Sequence, residues 1–268
     1  MELAKKAGSF FVRKPCIKKN NAHKALRENI CNKNTLTGGL YMPKTKIKTD
    51  VSINTSLDNI TDFSLISDKI CYRLVNKKSN NQLLAAIPHR DFFDMAIIYH
   101  INLSPSDEDA YTISITNNML KNWGVGEEKL YELAHINTPQ LERGYIAPSI
   151  PLQDDNNREC IVCKNFDLVL AGADDHTPMY SATTNRTDNA AVILYDGLLK
   201  EVSKFLGSFF VTPLSEYRCS ITPGTRADSE KMLKITRTIN ETVICKEDML
   251  SENCFYYDAE NHKLELIE

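Results

Sequence analysis

The apolar residues of this chain change their spacing along its length, and that change restricts the fold more than any other feature. Ile97, Tyr99, Ile101 and Leu103 stand two apart, with Ile98, His100 and Asn102 between them. Tyr111, Ile113 and Ile115 alternate in the same way with Thr112, Ser114 and Thr116. Successive side chains of a strand leave opposite faces, so each run reads as a strand. The polar turn Ser104 to Asp109 between them makes an antiparallel hairpin. Farther on, Leu198, Leu199, Val202, Phe205 and Leu206 fall at i, i+1, i+4, i+7 and i+8, one stripe of an amphipathic helix. Both spacings in separate stretches predict an α+β fold: mixed or antiparallel sheets with flanking helices, in two packed subdomains.

The rest of the chain fills in around these segments. Ile60 to Pro88 has mixed helical character, interrupted at Pro88. Asn117 to Trp123 reads as a short helix stopped by Gly124. Glu127 and Glu128 suit the first turn of another, with Leu130, Leu133 and Ala134 as its buried stripe. Four prolines (Pro139, Pro148, Pro151 and Pro178) punctuate Thr138 to Pro178, which holds one apolar stretch, Phe166 to Ala171, a candidate strand. Met179–Thr183 and Ala190–Leu194 read as two strands. Asp196 is placed to cap the next helix and Gly207 to end it. Phe209–Thr212 reads as a strand closed by Pro213 and paired with Tyr217–Ile221. A helix over Ser229–Ile239 follows, with Met232, Ile235 and Ile239 on one stripe. Phe255–Asp258 and Lys263–Ile267 read as a closing hairpin. The expected organisation is a basic arm over 1–57, flexible or marginally ordered, with a turn at Gly38–Gly39 and a short strand at Leu40–Met42. An N-terminal subdomain follows over 58–138, then a connection over 139–178 and a C-terminal subdomain over 179–268.

At 268 residues the chain is long enough to bury a core, and 42% hydrophobic with 25% charged residues is ordinary for a globular protein. No apolar run approaches the roughly 18–20 residues that a membrane helix needs. The first sixteen residues are broken by Lys5, Lys6, Arg13 and Lys14 and lack a signal-peptide core, so a cytoplasmic setting is expected. The net charge of −3 conceals an asymmetry. Residues 1–50 carry twelve Lys and Arg against three acids, a balance of +9, and the remainder carries twenty against thirty-two, a balance of −12. A basic arm on an acidic body can contact nucleic acid through phosphates, dock on its own body, or simply be solvated.

Eight cysteines occur, and without an export signal thiols are the default. Cys71, Cys219 and Cys245 stand beside Ile70, Ile221 and Ile244 and read as small buried side chains. Cys160 and Cys163 form the one C-x-x-C, a candidate metal or redox pair with no second pair to complete a zinc site. Asp174, Asp175 and His176 are a second candidate, opposed by the divergent directions of adjacent side chains. His89-Arg90-Asp91 begins like a kinase catalytic loop, but Ala96 stands where that loop needs Asn, so a solvated turn is expected. His100 and His135 are each a possible general base with no nucleophile in local context. Hydrogen-bonded structural roles are expected for both. Gly124-Val125-Gly126 reads as a turn before a helix. No catalytic residue, cofactor site or cofactor is assigned.

Several segments in order resemble a bacterial family, the domain of unknown function numbered 5688. They include Ile70 to Asn76, Pro88-His89-Arg90, Phe93-Asp94, Ala96 to Tyr99, Ile115-Thr116-Asn117, Trp123-Gly124, Leu130 to Ala134, Asn137-Thr138, Met179-Tyr180, Thr184-Asn185, Asn240-Glu241 and Leu250-Ser251. The resemblance covers about four-fifths of the chain. Two places depart from the family pattern. Ala190-Ala191 stands for the usual Gly-Ala, and Pro213 to Tyr217 lacks a histidine that the family tends to carry there, so an activity resting on that histidine would be lost. The resemblance implies a compact mixed α/β fold and a bacterial cytoplasmic setting, and no reaction. The function expected is therefore a non-enzymatic binding or regulatory module with a protein partner. The alternatives are a hydrolase or metal-dependent enzyme using His100, His135 or Asp174 to His176, and nucleic-acid binding through residues 1–50.

Overall fold

A computed structural model describes residue 60 and residues 62–103, 112–149, 159–171, 179–185 and 188–267. The basic arm, Asp174, Asp175 and His176, and the turn expected at Ser104 to Asp109 lie outside the described residues.

The smaller sheet is built on β3, Met95–Asn102, which is buried along its whole length. On one side β3 pairs antiparallel with β1, Ile70–Asn76, from Ile70↔Ile101 to Asn76↔Met95. On the other, β2, His89–Phe92, and β4, Thr112–Ser114, pair with its two halves in turn. The hairpin expected from the alternating residues is thus present. Two differences appear here. Residues 70–76, expected to be of mixed helical character, form β1. Six of the seven are buried, so both faces are covered and carry apolar residues, and the period-two signal is erased. His89-Arg90-Asp91 is not a turn but most of β2, fixed by pairing to Ile98, Ile97 and Ala96.

The larger sheet has eight strands in the order β12-β11-β9-β10-β8-β5-β7-β6. These are β5 Gly144–Pro148, β6 Cys160–Val162, β7 Phe166–Val169, β8 Tyr180–Thr184, β9 Phe209–Ser215, β10 Arg218–Pro223, β11 Cys254–Asp258 and β12 Lys263–Ile267. Its described pairs are antiparallel except β5 with β7. The stretch 139–178, expected as a connection with one candidate strand at Phe166 to Ala171, gives three strands to this sheet, of which β7 is the expected one. Ala190–Leu194, expected as a strand, is a 3-10 helix with four of its five residues buried. A short buried apolar run does not reveal its own period. Strand β9 runs through Pro213, where pairing with β10 shifts register. Such an irregularity is where a strand tolerates a residue without N–H.

Five helices are described: α1 Asn81–Ala86, α2 Asn117–Trp123, α3 Glu127–Leu141, α4 Leu198–Leu206 and α5 Ser229–Thr242. Gly124, at φ 67, closes α2 in the left-handed conformation that other residues resist. Gly207 ends α4 as expected. Helix α3 continues three residues past the expected boundary at Thr138, because Pro139 lies in its last turn and costs a single backbone bond there. Asp196 does not cap α4. Gly197 occupies that position, and no side chain caps the helix.

One apolar interior joins the two sheets. It takes Ile70, Tyr72 and Leu74 from β1 and Ile97, Tyr99 and Ile101 from β3. From the larger sheet it takes Ile146, Ala182, Val211, Ile221 and Phe255, and from the helices Leu130, Leu198 and Val202. The alternate residues Val75, Ala96 and Ile98 pack instead with Leu84 and Ile87. Across the larger sheet, Phe210 and Tyr256 pack with Leu233 of α5.

Candidate functional site

Among the described residues no strand lies beside the outer edge of β1, and that edge organises the site. The Tyr72 N–H donates to Thr138 Oγ1 at 3.1 Å, and its C=O accepts from Asn189 Nδ2 at 3.1 Å. The Ile70 C=O accepts from Asn137 Nδ2 at 3.1 Å. Side chains at the end of α3 and before the 3-10 helix thus supply what a neighbouring strand would. This docking carries Glu142, the residue after α3, against β1. Its N–H closes on the Thr138 C=O at 2.8 Å and its own C=O accepts from the Tyr195 hydroxyl at 2.5 Å.

Cys71 and His100 stand directly opposite in the β1–β3 register, so both side chains leave the same face. Cys71, His100 and Glu142 each present one ligating atom, and the three atoms lie within 4.8 Å of one another. His100 Nε2 is 4.0 Å from Glu142 Oε1. All three residues are buried, Cys71 and Glu142 completely and His100 at 3% exposure. Asn189 Nδ2 also donates to Glu142 Oε2 at 3.3 Å and so orients the carboxylate. Among the described residues neither ring nitrogen of His100 has a hydrogen-bond partner. The hydrogen-bonded role expected for His100 is therefore not what the fold provides. Burial first, and the positive charge of Arg73 second, hold its imidazole well below the usual histidine range, leaving it neutral. Thiol, neutral imidazole and carboxylate are the side chains that ligate a borderline cation. The same trio also has the composition of a nucleophile, base and orienting acid.

The other sequence candidates are placed apart. Cys160 and Cys163 are three residues apart on extended chain, so their side chains take opposite faces. Cys160 is exposed, whereas Cys163 packs against the interior, where burial raises its thiol pKa. Arg143 holds the turn after Cys163 by donating to its C=O at 2.5 Å and to Asp167 at 2.7 Å. His135 lies on α3, stacked on Tyr131 with ring centroids 5.5 Å apart, and its Nε2 is 3.1 Å from Asp196 Oδ1. Asp196, one residue before the N-cap Gly197, makes this pairing instead of capping α4. The His89-Arg90-Asp91 tripeptide is structural. Arg90 donates to Glu127 at 3.0 Å and to Glu128 at 2.5 Å over the Tyr131 ring, while Asp91 pairs with Lys77 at 2.8 Å.

Among the described residues, Cys71, His100 and Glu142 are the group of three ligating side chains brought together. The sequence shows no short motif linking positions 71, 100 and 142. Strand register joins the first two, and the docking of α3 on the β1 edge adds the third. The model of a family of unknown function, DUF5688, matches residues 13–259. The chain belongs to this family. No curated protein and no solved structure matches it. Three segments of the DUF5688 resemblance, Ile70 to Asn76, Ala96 to Tyr99 and Asn137-Thr138, build the β1, β3 and α3 framework of the site. No helix among the described residues is long and apolar enough to cross a membrane.

Proposed function

We infer that this member of DUF5688 is a non-enzymatic binding or regulatory module. The observation that carries the reading is the burial of its reactive trio. A thiol nucleophile must meet its substrate, yet Cys71 and Glu142 are 0% exposed and His100 is 3% exposed. Buried cysteines of this kind are inert rather than catalytic. A chain whose reactive groups are sealed acts through its surface, with a partner protein as the expected contact. A bacterial, cytoplasmic setting belongs to the same reading. The buried thiols Cys219 and Cys254 support a reducing compartment.

Alkylation of the folded chain tests this directly. Iodoacetamide should label the exposed Cys160 and Cys245 and leave Cys71 untouched until the protein is denatured. Rapid labelling of Cys71, faster than of the exposed thiols, would establish an accessible thiolate and return the enzyme reading.

The charge asymmetry favours one more specific reading of the partner, nucleic acid held by residues 1–50 with their balance of +9. Phosphate contacts release counterions, so retention on heparin should fall steeply with salt. Replacing Lys5, Lys6, Lys14, Lys18 and Lys19 by Gln should remove most of that retention. Unchanged retention would refute this reading.

A further inference from the structure

We propose that Cys71, His100 and Glu142 hold one divalent transition-metal ion of the zinc class inside the protein. The ligand set is the first argument. Sulfur, imidazole nitrogen and carboxylate oxygen are zinc's donors, and calcium or magnesium would ask for oxygen alone. Spacing is the second. Donors around one tetrahedral zinc stand about 3.3–3.7 Å apart, given bonds of about 2.0–2.3 Å. His100 Nε2 and Glu142 Oε1 are 4.0 Å apart and all three ligating atoms are within 4.8 Å, so rotamer adjustments close the set. The third argument is His100. A buried imidazole with no hydrogen-bond partner on either nitrogen among the described residues carries an uncompensated desolvation cost, which a metal bond removes.

Charge balance fits as well. A thiolate and a carboxylate bring two negative charges, which match a divalent cation. Arg73, the positive group felt at His100, opposes the ion, but its charge is also felt by the carboxylate of Glu216. Asn189 holds Glu142 from behind, the kind of support that fixes a ligand's orientation. Burial on every side points to an ion that fastens β1, β3 and α3 together, so the inference concerns stability and stands apart from the identity of any surface partner.

Cobalt(II) loading of the full chain tests it. The expected result is one cobalt per chain with an intense thiolate-to-cobalt band in the near ultraviolet, displaced by zinc. Cys71→Ser should abolish the band, and Cys160→Ser with Cys163→Ser should leave it. Excess zinc should also raise the melting midpoint of the wild type by several degrees. No band at saturating cobalt, or a band that survives Cys71→Ser and vanishes in the double variant, would overturn the site. If Cys71→Ser does not fold, X-ray absorption of the zinc-loaded double variant decides. One sulfur with nitrogen and oxygen neighbours supports the site, and any other sulfur count contradicts it.

Discussion

At the scale of single residues, the site depends on Asn189. Its amide donates to the Tyr72 C=O and to Glu142 Oε2, and its Oδ1 accepts from the Ala191 N–H at 2.9 Å. Asn189→Ala strands the buried edge carbonyl of β1, which costs about 1–3 kcal/mol. Denaturant titration should show that loss, and a change within error would mean that the edge finds another donor. Glu216 offers a test of sign. Burial raises its carboxyl pKa against the opposing pull of Arg73. A carboxyl raised in the fold contributes stability in full below its unfolded value, near 4.5, and loses it as pH rises through the folded pKa. The neutral Glu216→Gln should therefore be more stable than wild type at pH 7, with the gain gone at pH 4. Denaturation midpoints across that range measure it. A variant less stable at pH 7 would show that the attraction of Arg73 outweighs burial. None of this was readable beforehand. Cys71 could be expected only to be small and buried, and Glu142 carries no local mark.

At the scale of elements, the legible pieces are those with one face in the interior and one outside. The β3–β4 pairing, α4 with its closing Gly207, and the β11–β12 hairpin follow from alternation or from a helical stripe. The pieces that escaped are buried on both faces, β1 and the 3-10 helix at Ala190–Leu194, where apolar residues run on without a period. Strand β7 follows from the apolar stretch Phe166 to Ala171, whereas β5 and β6 escaped for a different reason, since the prolines around them suggested a connection. Close packing ties these strands to the 3-10 helix. A Cβ built on Gly144 of β5 would stand 2.7 Å from Val192 Cγ2 and 2.8 Å from Phe166 Cβ. Gly144→Ala should destabilise by about 1–3 kcal/mol through overpacking, read from the shift of the urea midpoint. An unshifted midpoint would mean that β5 and the 3-10 helix are not in close contact.

At the scale of the whole molecule, the period change along the sequence was enough for an α+β fold but not for its centre. The expected halves, 58–138 and 179–268, each give strands to a different sheet, yet residues of both sheets line one apolar interior. A shared interior makes unfolding a single event. Trp123, whose indole donates to the Ile60 C=O at 2.9 Å, reports from beside the smaller sheet, and far-ultraviolet circular dichroism reports from both. The two signals should change together. Ile146→Ala, a truncation at the interior face of the larger sheet, should move both midpoints by an amount corresponding to about 2–5 kcal/mol. Separate transitions would show two independently stable halves. The same joining of distant segments produces the trio of Cys71, His100 and Glu142, and anomalous diffraction from zinc-loaded crystals tests that centre most directly. The expected map has one peak per chain among Cys71 Sγ, His100 and the Glu142 carboxylate, and a peak at Cys160 and Cys163, or none in the interior, would contradict it.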